Sequence, residues 1–463
     1  MQKMKLNIFW FRRDLRLEDN AGLFHALKNG LPVLPVFIFD RNILDGLEDK
    51  KDARVEFIHL EIRRLQAELE AFGSGIAVLF GKPEEVFIQL ASQLEIHAVF
   101  TNHDFEPYAI LRDEAVKNLL AEKNIAFHTF KDHVIFEKNE VVKDDGSPYL
   151  VFTPYRRKWE EVLFSKTEPV PGSNGKVEPL SFFLKPYPTA DYFSNFVKIT
   201  PEIRQLTAEI PSLNELGFVA VGAAFPPKFS TFKLVKNYAD HRDFPAFEST
   251  TKLSVHYRFG TVSIRDKARK ALKISASYLN ELAWRDFFAM ILHHFPQVVS
   301  EPFRPEFQQV EWRNDEEEFH RWCIGQTGYP LVDAGMRELN DTGFMHNRVR
   351  MVTASFLTKH LLVDWRWGEA YFAKKLLDYD LASNVGNWQW AAGCGVDAAP
   401  YFRIFNPDAQ VERFDKDLEY VKKWVPELKT KEYVEPLVDH VFARERCLKV
   451  FRKALKDREK VTV

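Results

Sequence analysis

The stretch SNVGNWQW, residues 383–390, places two tryptophans two positions apart behind two asparagines and a glycine. In an α-helix, positions i and i+2 point to different faces, so the two indoles must have different neighbours. An indole offers a flat surface for stacking, and an amide both donates and accepts hydrogen bonds. The question is which partners need two indoles with amides beside them.

Two further segments each place three chemically useful side chains on one helical face, at positions i, i+3 and i+4. They are Glu281, Trp284 and Arg285, and then Asn347, Arg350 and Met351. The first set also fits a surface Glu–Arg pair beside a core tryptophan. The second also fits a helix-start asparagine with a core methionine, with Arg348 beside them.

Hydroxyl and acidic side chains stand near these segments. Residues 249–254, STTKLS, offer hydroxyls and turn-compatible amides before a helix, which suits a phosphate group and also suits ordinary helix caps. Asp378 and Asp380 have a spacing that fits a metal site or a loose acidic loop. Because no histidine or cysteine stands near them at ligand spacing, we expect no metal ion.

Basic residues with aromatic neighbours are candidates for a phosphate-binding surface. Residues 155–159, YRRKW, have this pattern, and Arg242, Arg348 and Arg403 stand separately. The alternative is solvated surface charge. Taken together, the cations, acids, amides and indoles describe a site for a large ring cofactor and a flat, base-like substrate.

The composition is that of a globular protein. A length of 463 residues predicts two domains with sizeable cores, and a net charge of −2 requires any nucleic-acid partner to be held by a local basic patch. Cys323, Cys394 and Cys447 are scattered singly, which fits a reducing compartment. Because no signal segment or membrane-spanning run is present, we expect a cytoplasmic protein without a membrane partner.

Strand-like and helix-like segments alternate through residues 1–130. The apolar, strand-like runs are Leu6–Phe11, Val33–Phe39, Ile76–Phe80, Ala98–Thr101 and Ala126–Phe130. This alternation predicts an α/β domain with a parallel, Rossmann-like sheet. The first strand leads into FRRDLRL and not into a glycine-rich turn, so a dinucleotide site of the usual Rossmann type is not expected there.

The remainder divides into two parts. Residues 131–215 are irregular and rich in Pro, Ser and Gly, and we interpret them as a long surface connector. Residues 216–463 carry one helical pattern after another with almost no strand signal, which predicts an all-α domain.

Four segments resemble the signatures of the DNA photolyase/cryptochrome family and follow one another in the family's order. They are FWFRRDLRLEDN at 9–20, NELAWRDFF at 280–288, GYPLVDAGMRELNDTGFMHNRVRM at 328–351, and the run from DWRWGEAYF to YFRIFNP at 364–407. The resemblance extends from residue 7 to about 425, nearly the whole chain. It implies an α/β domain that can carry an antenna chromophore and a helical domain that holds FAD.

The resemblance also implies which residues hold FAD. The matching positions are Tyr238, Thr250, Thr251, Leu253 and Ser254 around the diphosphate, Arg350 and Asp378 as the ion pair beside the isoalloxazine, and Arg285, Asp380 and Asn384. Val255 stands where the family usually has proline. Asn384 matches the residue that faces flavin N5, where an amide can favour one redox form.

Within the family, the pocket sets the substrate. Glu281, Trp284, Asn347, Met351 and Trp390 match the pattern of the cyclobutane pyrimidine dimer photolyases. The resemblance thus implies a monomeric enzyme for UV-damaged DNA that splits dimers by electron transfer from photoexcited, reduced FAD. Glu281 and Asn347 would hydrogen-bond the dimer between Trp284 and Trp390.

Other residues of the resemblance surround this pocket. Arg242, Arg348 and Arg403 match positions that hold the flanking phosphates, and Trp312, Trp365 and Trp388 match the tryptophan chain that reduces oxidised flavin. A buried tryptophan taken alone favours simple packing, but the ordered match of all three favours electron transfer.

Several alternatives stay open at this point. The chain fits less well a (6-4) or DASH-type photolyase, a blue-light receptor that signals through a partner, or a dark flavin oxidoreductase. Residues 102–109, NHDFEPYA, lie in the family's antenna region, where 5,10-methenyltetrahydrofolate, a deazaflavin, a flavin or no chromophore all fit.

Overall fold

Buried, apolar runs build a parallel sheet in the first part of the chain. The computed structural model describes residues 4–171 and 177–461. The five strands of its main sheet are β1 Lys5–Phe11, β2 Val33–Asp40, β3 Ala77–Gly81, β4 Glu95–Asn102 and β5 Ala126–Phe130, in the order β3-β2-β1-β4-β5. The predicted parallel α/β fold is confirmed. β4 begins earlier than predicted because the alternation of exposed and buried side chains already starts at Glu95.

Helices cover both faces of this sheet. They are α1 Ala21–Lys28, α2 Arg41–Leu44, α3 Ala53–Glu70, α4 Pro83–Gln93 and α5 Pro107–Glu122. Ile8 and Trp10 of β1 share a buried cluster with residues of α4 and α5. Phe9 points to the opposite face, where it meets Gly22 of α1. A sheet buried on both faces explains why its strands read as continuous apolar runs.

The segment interpreted as an irregular connector contains regular elements. They are α6 Phe152–Ser165, the antiparallel pair β6 Thr167–Pro171 and β7 Val177–Ser181, two 3₁₀ turns at Phe182–Leu184 and Thr189–Asn195, and α7 Pro201–Thr207. The buried Tyr155 and Trp159 are four residues apart and give α6 a core-facing stripe. The prolines and glycines of the segment had hidden this pattern.

The chain passes more than once between two compact units. The first comprises residues 1–140, 159–229 and 252–273, and the second comprises residues 141–158, 230–251 and 274–463. Within the first unit, the buried Asp132 carboxylate binds the guanidinium groups of Arg16 and Arg265. Burial acts to raise the pKa of Asp132, but these two cations hold it below its usual range.

Helices make up the rest of the chain, as predicted. They are α8 Phe232–Lys236, α9 Tyr238–His241, α10 Ser254–Arg258, α11 Ile264–Ile274, α12 Ala276–His294, α13 Glu316–Cys323, α14 Pro330–Thr342, α15 Asn347–Ser355, α16 Trp365–Lys375, α17 Leu381–Ala392, α18 Pro407–Phe414, α19 Glu419–Trp424 and α20 His440–Val461. Short 3₁₀ turns lie at Pro296–Val299 and Pro305–Gln309, and a π-helical turn lies at Phe356–His360. In the part of the chain that the structure describes, no helix has both the length and the apolar character needed to cross a membrane.

Helix α17 lies at the centre of the second unit, where it packs against α12, α15 and α16. Two glycines permit this packing. A Cβ atom on Gly368 of α16 would lie 2.1 Å from Cη2 of Trp388, and one on Gly386 would lie 2.2 Å from Cδ1 of Phe288 on α12. Both glycines therefore serve close helix contact.

Replacement of Gly368 by alanine tests this contact. A helical Gly→Ala change normally stabilises a protein by about 0.5–1 kcal/mol. Here we expect a net loss, because displacing the buried Trp388 indole costs about 1–3 kcal/mol. Thermal unfolding of Gly368→Ala should show a lower Tm than the parent.

Gly46→Ala is the matched control, since a Cβ there meets only ordinary contacts, at 3.5 Å and beyond. A Gly368→Ala variant as stable as Gly46→Ala would contradict the packing argument.

Candidate functional site

One cavity of the helical unit brings together residues that are far apart in the sequence. Of the residues predicted for the site, those that line it are Asn347, Arg350, Met351, Asp378, Asp380, Asn384, Trp388 and Trp390. They come from α15, from the loop before α17 and from α17 itself. The cavity is therefore built where α15 and α17 pack together.

The two acids of the loop are held by partners of different kinds. Arg350 Nη2 donates to Asp378 Oδ2 at 2.9 Å, and Arg350 Nε donates to the Met345 carbonyl at 2.8 Å. Asp380 caps α17 by accepting from the Ser383 amide at 3.1 Å and its hydroxyl at 2.9 Å. Among residues 4–171 and 177–461, no group of three or more His, Cys, Asp or Glu side chains is placed to hold a metal ion.

Asn384 is oriented by a residue that sequence reasoning missed. Its Nδ2 donates to Oε1 of Glu369 at 2.9 Å and to the Glu369 carbonyl at 3.2 Å. Burial raises the pKa of Glu369, although the bonds from Asn384 and Tyr379 oppose the rise. With its N–H groups directed at Glu369, Asn384 presents Oδ1 as an acceptor. The sequence did contain a sign of this role, because Glu369 is an acid on the same face of α16 as the apolar Trp365 and Phe372.

The two indoles of α17 have separate neighbours, as their spacing requires. Trp388 is buried, with its ring centroid 5.0 Å from Phe372 and 6.1 Å from Trp322. Trp390 is half-buried and lines the cavity. Trp322, which is fully buried, had not been singled out in the sequence.

The other two tryptophans of the expected electron chain lie elsewhere in the helical unit. Trp365 is the buried first residue of α16, with the Arg366 guanidinium 4.9 Å from its ring centroid. Trp312 is half-buried and meets Phe451 edge-on at 5.8 Å. Each has a clear packing role in addition to any redox role.

Glu281 and Trp284 occupy the first turns of α12. Glu281 forms an ion pair with Arg242, a residue outside its own helix. Trp284 stacks on Phe152 with centroids 3.5 Å apart, so one face of its indole is already covered. Arg285 is half-buried on the same helix.

The remaining candidate DNA-binding arginines also have partners. Arg348 Nη2 donates to Asp243 Oδ1 at 2.7 Å, and its guanidinium lies 4.3 Å from the Phe414 ring centroid. Arg403 is exposed, above the ring of Phe405.

One interpretation from the sequence is corrected here and another is refined. Tyr155 and Trp159 are buried in α6, so residues 155–159 do not form a surface with interleaved aromatic rings. Asn347 is the first residue of α15, as expected of a helix-start residue, but the capping position belongs to its neighbour. His346 takes that place, with Nδ1 accepting from the Arg348 amide at 3.2 Å, and the Asn347 amide lines the cavity.

The hydroxyl-rich segment divides between the two units. Tyr238 meets Tyr278 edge-on at 5.3 Å, and Thr251 Oγ1 lies 3.2 Å from Tyr278 Oη. Thr250, beside it, is half-buried. Leu253 and Ser254 belong to the other unit, where the buried Leu253 precedes α10 and Ser254 is its first residue. The protein thus combines a parallel α/β sheet with a helical cavity whose indoles, amides and ion pair suit a planar cofactor.

Comparison with known proteins gives the family. Residues 7–173 match the model described as DNA photolyase, and residues 278–432 match the FAD binding domain of DNA photolyase. The chain is 36% identical to a deoxyribodipyrimidine photo-lyase of Halobacterium salinarum, over 98% of this chain and 100% of the other. This chain belongs to the DNA photolyase family, and its helical unit carries the family's FAD-binding domain.

Solved structures agree with this assignment. A class III photolyase from Agrobacterium tumefaciens is 32% identical with a TM-score of 0.81, over 98% of this chain and 99% of the other. An archaeal photolyase from Sulfolobus tokodaii with two FAD molecules is 33% identical with a TM-score of 0.79, over 97% and 100%.

The donor set around the cavity fits FAD. A flavin has a flat ring with a polar edge. The cavity offers indoles beside the ring, and it offers the Arg350–Asp378 pair to the polar atoms of the edge. The side-chain Oδ1 of Asn384 is a further acceptor. The chemistry of these side chains therefore matches the cofactor that the family model names.

Removal of the Asp378 carboxylate should weaken this arrangement. Asp378→Ala leaves the largely buried Arg350 guanidinium, one-quarter exposed, without its ionic partner. The loss of a charged hydrogen bond costs about 1.5–3 kcal/mol. We expect a lower Tm and less FAD per chain, measured by flavin absorbance after purification.

Asp45→Ala is the control for this change, because Arg41 and Asp45 form an exposed pair, with side chains 53% and 57% exposed. Equal FAD content in Asp378→Ala and Asp45→Ala would show that the Arg350–Asp378 pair does not hold the cofactor.

Proposed function

We propose that this chain repairs cyclobutane pyrimidine dimers in DNA by light-driven splitting. The observation that carries the proposal is the joining, in one cavity, of residues assigned to the cofactor with Asn347, Met351 and Trp390 of the dimer-photolyase pattern. The name and full-length similarity of the Halobacterium relative support it.

When bound and reduced, FAD supplies the electron that light sends to the dimer and that returns after splitting. Asn384 and the Arg350–Asp378 pair orient the cofactor. Arg285, Asp380, Tyr238, Thr250 and Thr251 are the further proposed cofactor contacts of the helical unit. Leu253 and Ser254, which the resemblance assigns to the cofactor as well, stay predictions. These assignments extend the sequence resemblance.

The substrate residues act on a dimer that has left the duplex. Flipping costs a few kcal/mol, and less for a damaged, poorly stacked base. Stacking on Trp284 and Trp390 returns about 1–3 kcal/mol per base. Glu281 and Asn347 hydrogen-bond the pyrimidine edges where charge develops, and preorganised donors there stabilise the reaction.

Arginines hold the DNA backbone around the pocket. The chain has a net charge of −2, so attraction to phosphate depends on the local group of Arg242, Arg348 and Arg403. These contacts fix the position of the duplex and carry no sequence information.

A repair assay tests the proposal. Reduced protein is mixed with a duplex oligonucleotide that contains one cyclobutane dimer and is illuminated with blue light. We expect thymine absorbance to recover in the light and not in the dark. Recovery only from single strands or from a (6-4) photoproduct would assign the chain to another photolyase type. FAD binding without any repair would favour a photoreceptor.

The tryptophan chain is a separate proposal, in which Trp312, Trp365 and Trp388 carry electrons to the cofactor site. We expect Trp388→Phe to slow light-driven reduction of the oxidised cofactor at least tenfold, because Trp388 is the member that lines the cavity. The measurement is the bleaching rate under blue light, with FAD content matched between proteins. An unchanged rate would reject the assignment.

Two further variants locate the next donor after Trp388. Trp365→Phe removes the residue expected from the resemblance, and Trp322→Phe removes an indole whose centroid lies 6.1 Å from that of Trp388. We expect Trp365→Phe to give the larger loss.

An antenna chromophore in the α/β unit stays a prediction. In the antenna region, Arg13 binds Asp104 at 3.0 Å and Glu106 at 2.7 Å, and Tyr108 donates to Asp40 at 2.5 Å. A folate, a deazaflavin or a flavin would be identified by the absorbance of the chromophores released from the protein.

A further inference from the structure

The structure pairs two residues to which the proposed function gives different duties. Arg242 is assigned to a DNA phosphate and Glu281 to the dimer, yet Arg242 Nη1 donates to Glu281 Oε1. Each side chain is 30% exposed, so the pair lies at the edge of the helical unit, open to a ligand. A phosphate that reaches Arg242 meets a guanidinium already bound to a carboxylate.

Arg242 can exchange one oxyanion for another. A guanidinium group can bind either a phosphate or a carboxylate through two parallel hydrogen bonds. Arg242 follows the short helix α9, and its side chain leans over the ring of Tyr238, with 5.4 Å from the guanidinium carbon to the ring centroid. The ring offers the guanidinium a cation–π contact that does not use its N–H groups.

Glu281 depends on Arg242 for its charge. Burial raises the pKa of the Glu281 carboxyl, Arg242 opposes that rise through its charge and its hydrogen bond, and the nearby Asp243 adds to it. Loss of Arg242 as a partner therefore favours the protonated carboxyl.

Other titratable groups stand near Glu281, and they include Asp240 and His241 of α9, which packs against α12. Asp243 is bound to Arg348 at 2.7 Å, and the phenol of Tyr238 is uncharged because burial raises its pKa. Arg285 stands one turn further along the same helix. Neither α17, LASNVGNWQWAA, nor the turn at 296–299, PQVV, both packed against α12, has a titratable side chain. Burial lowers the pKa of His346 to about 4, so it stays neutral near pH 7.

The proton decides which pyrimidine edge Glu281 can bind. A carboxylate only accepts, so it suits an imide N–H and repels a carbonyl oxygen. A protonated carboxyl has one O–H donor and can bind that carbonyl oxygen, where negative charge gathers when the dimer is reduced. While Glu281 is ionised and paired with Arg242, it therefore cannot donate a hydrogen bond to a pyrimidine carbonyl.

We propose that damaged DNA draws Arg242 from Glu281 to a backbone phosphate, and that Glu281 then takes a proton from water and donates it in a hydrogen bond to a pyrimidine carbonyl. Arg242 stays charged throughout, so the complex gains one proton from solvent. Phosphate binding and dimer recognition become coupled through this exchange, which rests on the proposed function.

The sign of the pH dependence follows from this gain. A complex that holds more protons than its separate parts becomes weaker as pH rises. Between the pKa values of Glu281 in the unbound protein and in the complex, affinity falls by up to about tenfold per pH unit. Binding without the exchange has no such slope from Glu281.

Calorimetry in the dark measures the proton directly. The holoenzyme is titrated with dimer-containing duplex at one pH, in buffers of different ionisation enthalpy, and the series is repeated from about pH 6 to about pH 9. We expect proton uptake that rises towards about one per complex within this range. Wild-type protein that binds with no uptake at any pH would overturn the proposal.

Three variants assign the proton to Glu281. Glu281→Gln carries an amide that donates at every pH, so it should bind without uptake. Arg242→Gln removes the partner before DNA arrives and should take up less than the wild type. Glu311→Gln changes an exposed glutamate paired with Lys453, and it should match the wild type. Uptake by Glu281→Gln equal to the wild type would assign the proton to another group and overturn the proposal.

Illumination of the same samples separates this inference from the proposed function. Repair without proton uptake would overturn the exchange and leave dimer splitting in place. The opposite result is proton uptake that is lost in Glu281→Gln, with no repair by the wild type. It would overturn the proposed reaction but leave the Arg242–Glu281 exchange as part of DNA binding.

Discussion

The close packing of α17 against α12, α15 and α16 is the contact on which the helical unit depends. Asn384, Trp388 and Trp390 of α17 all line the cavity, and Trp388 also packs against Phe372. A helix buried on several sides can meet several neighbours at once, but only where small residues let the backbones approach. Gly386 in α17 and Gly368 in α16 meet that demand.

Three arginines of the helical unit are paired with acids in the protein without DNA. Arg350 with Asp378, Arg242 with Glu281 and Arg348 with Asp243 each combine a partly buried guanidinium with an acid. Such pairs keep cations available at a site without leaving them unpaired, which would be costly in a low dielectric. They also mean that an incoming phosphate gains less than bare charges suggest, because it first competes with a carboxylate.

Periodicity in the sequence was enough to predict the fold but not the pairing within the site. Apolar runs gave the five parallel strands, and helical spacing gave the all-α part, because both signals are local. Glu281 and Arg285 share a face at i and i+4, yet Glu281 pairs with Arg242, which is 39 positions away. Asn384 and Glu369 meet across two helices in the same way. Only the resemblance to a family placed such distant residues in one site, and it did not predict the contact between Glu369 and Asn384.

The contact between Gly368 and Trp388 also limits the order in which substitutions at these two positions can occur. The six-membered ring of Trp388 fills the space that a side chain at position 368 would need. Any larger residue at 368 is tolerated only after a smaller one at 388, and a smaller residue at 388 alone leaves a cavity, which costs stability. The two positions therefore change together or stay fixed. A residue that moves electrons in the proposed function is thus held in place by a partner that has no redox chemistry of its own.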